Sequence, residues 1–94
     1  MDVVSLGELV RRARRHVDSN GKVVKQRASW RTVRVGRFAL SVNKNDQLQI
    51  DANGVCYLQT SSSRIDEVEM HRELVGELLP ELRKLQVLDD LAAI

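Results

Sequence analysis

Three features of the chain predict an α+β fold. It opens with a capped amphipathic segment, carries a central block of period-two alternation cut by turn residues, and closes with a leucine-rich stretch of helical spacing. The expected architecture has two layers. An N-terminal helix and a C-terminal helix, broken or kinked at Pro80, cover one face of an antiparallel meander of three to four strands. Residues 1–94 form a single domain.

The first element is expected over about residues 5–19. Ser5-Leu6-Gly7-Glu8 matches a capping box, in which the Ser5 hydroxyl bonds a free amide one turn on and Glu8 reaches back to the Ser5 amide. Val4 and Leu9 fit a hydrophobic staple. Leu6, Leu9, Val10, Ala13 and Val17 then recur on one helical face. Asn20-Gly21 supplies the stop, glycine being the residue that tolerates the left-handed conformation that closes helices.

Residues 22–30 read equally as a strand entry or a basic connection. Beyond them, Val33 and Val35 alternate with Arg34, and Gly36 marks a bulge or tight bend. Phe38, Leu40 and Val42 alternate with small and polar neighbours, Lys44-Asn45-Asp46 reads as a turn, and Leu48 and Ile50 resume the period. Asn53-Gly54 is a strong signal for a type I′ hairpin, because both central residues of that turn need positive φ. Val55–Thr60 is the last strand.

Ser63 with Asp66 is expected to cap the second helix. Val68, His71, Val75, Leu78, Leu82 and Leu85 follow at spacings of three and four. Pro80 has no amide hydrogen and clashes with the carbonyl four residues back. A break near Leu79, with Pro80 opening a further helix, is the favoured expectation.

The composition narrows the function. Apolar residues make up 43% and charged residues 30% of the chain, as in folded globular domains. A chain of 94 residues buries only about 60–65% of its unfolded surface, which leaves little room for a deep substrate cavity beside a core. The single cysteine, Cys56, excludes an intrachain disulfide. Met1–Val10 does not read as a signal peptide, and no apolar run approaches the roughly 18 residues of a membrane span. A cytoplasmic location is expected, with no membrane contact and no small-molecule substrate.

Catalytic and metal sites are not indicated. His16, His71 and Cys56 are the only soft ligands, in none of the spacings that build zinc sites, and the glycines match no phosphate- or dinucleotide-binding loop. His71 follows Glu67 by four residues, which reads as a surface helix pair rather than a proton relay. His16 is expected beside the apolar stripe of the first helix, and Cys56 as a small buried side chain. No enzyme activity, cofactor or metal is therefore expected.

What remains points to binding. Residues 1–44 hold eleven Lys/Arg against three Asp/Glu, whereas residues 64–94 hold four against eight. Within the basic part, Arg11, Arg12, Arg14, Arg15, Arg27, Arg31, Arg34 and Arg37 form an arginine-rich region with Trp30 inside it. Arginine forks onto phosphates and carboxylates, so the region suits an anionic partner, protein or nucleic acid, or simply a solvated face paired with the acidic last helix. An acidic run, Asp66, Glu67, Glu69, Glu73, Glu77 and Glu81, reads as a solvated face. The C-terminal leucines Leu78, Leu82, Leu85, Leu88 and Leu91 make a stripe wider than so small a sheet needs, and suit self-association.

The leading expectation is a small non-enzymatic protein-binding module, an adaptor or inhibitor, homodimeric through its C-terminal helix. The alternatives are DNA or RNA backbone binding by the arginines, and an inhibitor of a host nucleoprotein complex of the kind phages encode.

Overall fold

The computed structural model describes residues 3–24, 27–60 and 68–92. Helix α1 spans Val3–Asn20. Strands β1 (Lys22–Val24), β2 (Arg27–Val35), β3 (Phe38–Asn43), β4 (Leu48–Ala52) and β5 (Val55–Thr60) follow. The C-terminal helix begins as α2 (Val68–Glu73), widens into a π turn at Leu74–Leu78, and continues as α3 (Leu79–Ala92). The strands form one antiparallel sheet in the order β1-β2-β3-β4-β5. The α+β fold is the one expected, with a fifth strand. Lys22–Val24 pairs with residues of β2, so the ambiguous stretch holds a short edge strand and the start of β2.

Cross-strand partners share a sheet face, and two faces follow from the register. Val33 stands opposite Leu40, Val35 opposite Phe38, Leu40 opposite Ile50, Val42 opposite Leu48, and Ile50 opposite Leu58. These residues pack under Leu6, Leu9, Ala13 and Val17 of α1 and under Leu74, Leu78, Leu79 and Leu82 of the C-terminal helix, forming one core. The other face carries Thr32, Arg34, Ala39, Ser41 and Gln49; Thr32 and Ser41 hydroxyls lie 2.9 Å apart across it.

The turns follow local chemistry. Gly36 (φ 58°) stands in the two-residue link between β2 and β3. Asn53 (φ 53°) and Gly54 (φ 79°) both hold the positive φ that the type I′ turn demands. The Asn43 Oδ1 accepts amides from Asn45 and Gln47, which braces the β3–β4 turn.

Three local expectations need correction. Helix α1 starts at Val3, so Ser5 is inside the helix and not its cap. Glu8 does not reach back to it, because two arginines hold its carboxylate. Gly21 ends α1 without a left-handed φ. It is needed for space: a Cβ there would lie 2.5 Å from the Val17 carbonyl oxygen, to which the Gly21 amide donates at 2.6 Å, and 3.2 Å from Arg31 Cβ. At Pro80 the helix continues rather than breaks. The π turn just before it shifts the hydrogen bonding, with the Leu79 amide donating to the Leu74 carbonyl five residues back. Widening the turn in this way relieves the collision of a proline ring with the carbonyl four residues earlier. The Ser63–Asp66 cap lies outside the described residues.

Candidate interaction surface

The arginines of the basic region point in several directions. On α1, Arg11 and Arg15 are exposed on the side away from the core. Arg12 turns toward the C-terminal helix, where its Nε donates to Glu8 at 2.7 Å, and Arg14 lies 3.9 Å from Asp46 in the β3–β4 turn. Arg31 is on the helix-covered side of the sheet, its register partner being Val42, and reaches the Asp18 carbonyl at the end of α1. Arg34 is exposed on the opposite face. Arg27 stands in register with Val24 at the edge of the sheet.

Arg37 is the most engaged of the set. From the β2–β3 turn it forks onto Glu77 (2.8 and 2.9 Å), lies 3.6 Å from Glu73, and donates to the Tyr57 hydroxyl at 3.1 Å. Its guanidinium sits over the Phe38 ring, 4.6 Å from the centroid. The bond from Arg37 holds the Glu77 carboxyl below its ordinary range, and Glu77 in turn raises the already high value of Arg37. Part of the acidic run is thus the intramolecular counterpart of the basic region.

Trp30 is half-buried in a groove of about 350 Å³ beside Arg31, Asn43 and Lys44, but Asp18 and Asp46 line the same groove. An anion there meets two carboxylates as well as two cations.

A second clasp joins α1 to α3. Glu8 accepts from Arg12 Nε and from Arg83 Nε and Nη2 at 2.7–2.8 Å. These bonds, Arg83 foremost and then Arg12, hold the Glu8 carboxyl down to about 2. Nothing in the sequence spacing marks this pairing across 75 residues.

The leucine stripe divides. Leu78 and Leu82 are core residues with 0% and 2% exposure, so neither is available to a partner, and Leu85 is half-buried against the core. Val87, Leu88 and Leu91 are 57%, 61% and 61% exposed. On a helix advancing about 100° per residue, these three fill an arc of roughly 100° centred opposite Leu82. The same two turns direct Gln86, Asp89 and Asp90 toward a polar groove of about 220 Å³ against Arg12, Arg15 and His16 of α1. The end of α3 is therefore inverted: polar toward its own domain and apolar toward solvent. Val87 belongs to this surface although the leucine spacing does not include it.

Cys56 is exposed, not buried, because the register shifts between Ile50 and Asp51 beside it. Its thiol is pushed upward by partial burial and by Asp51, which disfavours the nucleophilic thiolate. His71 is buried at 2% exposure rather than on a helix surface, and Glu67 lies outside the described residues. His16 faces Asn20, 3.2 Å away. Among the described residues no group of three His, Cys, Asp or Glu could hold a metal ion, and no helix is long and apolar enough to cross a membrane. Comparison of the chain with family models, with curated proteins and with solved structures yields no significant match.

Proposed function

We propose that the protein is a small, non-enzymatic protein-binding module whose contact surface is the outward face of the last two turns of α3. The observation that carries this reading is the inversion of that helix end. Three large apolar side chains, Val87, Leu88 and Leu91, stand in water while carboxylates occupy the side facing the domain. A helix needed only to cover its own core places its apolar residues inward and its charges outward. Clustered exposed apolar side chains in a small domain mark interfaces.

Arg11 and Arg15, exposed on α1 and in no ion pair with another described residue, add a basic surface for an acidic partner. Backbone binding to nucleic acid has less support. Phosphate tracking needs cations converging on one path, whereas Arg34 and Arg15 lie on opposite sides of the domain and Arg12, Arg14 and Arg37 are already paired.

Affinity capture from the native cell, with and without nuclease, tests the reading against a Leu88→Lys/Leu91→Lys bait of unchanged thermal stability. The proposal expects nuclease-resistant partners that the double variant loses. Capture that survives the double variant, or that disappears with nuclease, overturns it.

A further inference from the structure

We propose that the π turn at Leu74–Leu78 is the device that turns the apolar end of α3 toward solvent, by setting the phase of the helix one residue back. The proposal rests on the reading of that end as a contact surface and names what creates it.

A π turn, bonded five residues apart, holds roughly one residue more than an α turn. Here the Leu79 amide donates to the Leu74 carbonyl, and α3 then runs as α-helix from Leu79 to Ala92. Each residue beyond the turn therefore stands one step, about 100°, behind the place it would hold in an unbroken α-helix. Unbroken, the helix would put Glu81 in the core place of Leu82, and Leu79 in the exposed place of Pro80. The extra residue instead leaves Leu79 and Leu82 within the core, 1% and 2% exposed.

The same offset runs on to the helix end, where its effect is opposite. An unbroken helix would set Leu85 and Leu88 in the groove places of Gln86 and Asp89, against α1. Gln86 and Asp90 would take the solvent-facing places of Val87 and Leu91. The last two turns thus follow the ordinary pattern, apolar inward and polar outward, in the phase that the π turn removes. The start of α3 and its end call for phases one residue apart. The start prevails, and α3 has no tightened turn that gives the residue back.

Two features hold the extra residue in place. The Pro80 ring would collide with the Gly76 carbonyl in an unbroken helix. From the β2–β3 turn, Arg37 forks onto Glu77 inside the π turn at 2.8 and 2.9 Å and lies 3.6 Å from Glu73 just before it.

Thiol reactivity in a Cys56→Ser background reads the phase without reference to any partner. In the parent phase Leu88→Cys stands in solvent and reacts fast, whereas Gln86→Cys faces the groove and reacts slowly. Inserting one alanine between Arg83 and Lys84 advances every later residue by about 100°. Leu88 then enters the groove and Gln86 leaves it. The two reactivities are expected to exchange order, each changing several-fold, and the insertion variant to lose the nuclease-resistant partners. Deleting Gly76 together with Pro80→Ala removes the extra residue and the collision, and leaves every later residue in its parent place. That variant should keep the parent's thiol order and partners. An insertion variant that keeps the parent's order, or reacts fast at both positions, overturns the proposal, as does a deletion variant whose order departs from the parent's. If the insertion exchanges the thiol order but leaves capture unchanged, the phase device stands and the reading of the helix end as a contact surface falls.

Discussion

Leu82 and Leu88 lie six residues apart on one helix, have the same side chain and face opposite ways, so truncating each to alanine isolates the direction of the α3 face. Leu82 is 2% exposed within the core formed by α1, the sheet and the π turn. Full burial of a leucine side chain is worth about 1.5–3 kcal/mol, and the cavity left by Leu82→Ala raises the loss to about 2–5 kcal/mol. Leu88 is already 61% exposed. Only the remaining fraction of its side chain has transfer free energy to lose, and no cavity forms, so Leu88→Ala costs less than about 1 kcal/mol in the monomer. For a domain of this size, each 1 kcal/mol moves the melting temperature by about 4–8 °C. Thermal unfolding of dilute protein, followed by circular dichroism, measures both variants against the parent. Leu82→Ala should fall at least about 8 °C in melting temperature, and Leu88→Ala should stay within a few degrees. Equal losses would refute the inverted register of α3, as would a larger loss for Leu88→Ala.

Two further predictions follow from the same packing. Gly21→Ala should destabilise by about 1–3 kcal/mol in urea unfolding, since its methyl meets the Val17 carbonyl and the Arg31 stem. By contrast, Gly76→Ala in the π turn meets nothing within 4 Å and should be neutral or stabilise by up to about 1 kcal/mol. The Glu8 clasp should make stability acid-sensitive. Its carboxyl is held below the ordinary 4.5, at about 2, so its contribution is complete above pH 4.5 and is lost as pH falls from there toward 2. Urea midpoints measured at pH 7 and pH 3 should therefore fall less in Glu8→Gln than in the parent; equal falls would mean the clasp is not formed.

The parts of the fold that were legible in the sequence are those set by local chemistry. Asn53-Gly54 dictates its hairpin through φ, and the alternation from Val33 to Leu58 identifies the core face because a strand has a period of two. The parts that were not legible depend on distant partners. Lys22–Val24 is a strand only because β2 supplies its pair. Glu8 looks like a capping residue until Arg83 arrives from the other end of the chain. Pro80 reads as a breaker unless the preceding turn widens, and nothing in Leu74–Leu78 announces that it does.

The candidate surface was half visible. Steps of three residues advance a helix by about 300°, some 60° short of a full turn. Leu82, Leu85, Leu88 and Leu91 therefore walk around α3, starting in the core and ending opposite it. Counted only as apolar spacings of three and four they resemble one stripe, so spacing alone groups Leu78 and Leu82 with an interface although both are buried. The arginines likewise form one group only by sequence proximity. Strand alternation and the helical turn then dispersed them over both sides of the domain.

Affinity capture from the native cell in the presence of nuclease tests the central claim, the proposal that the exposed end of α3 is a protein-contact surface, most directly. The proposal predicts nuclease-resistant partners that the parent chain captures and that Leu88→Lys, a substitution at a 61% exposed position, loses. A parent chain that captures no such partner, or a Leu88→Lys variant that captures the same partners as the parent, would contradict it.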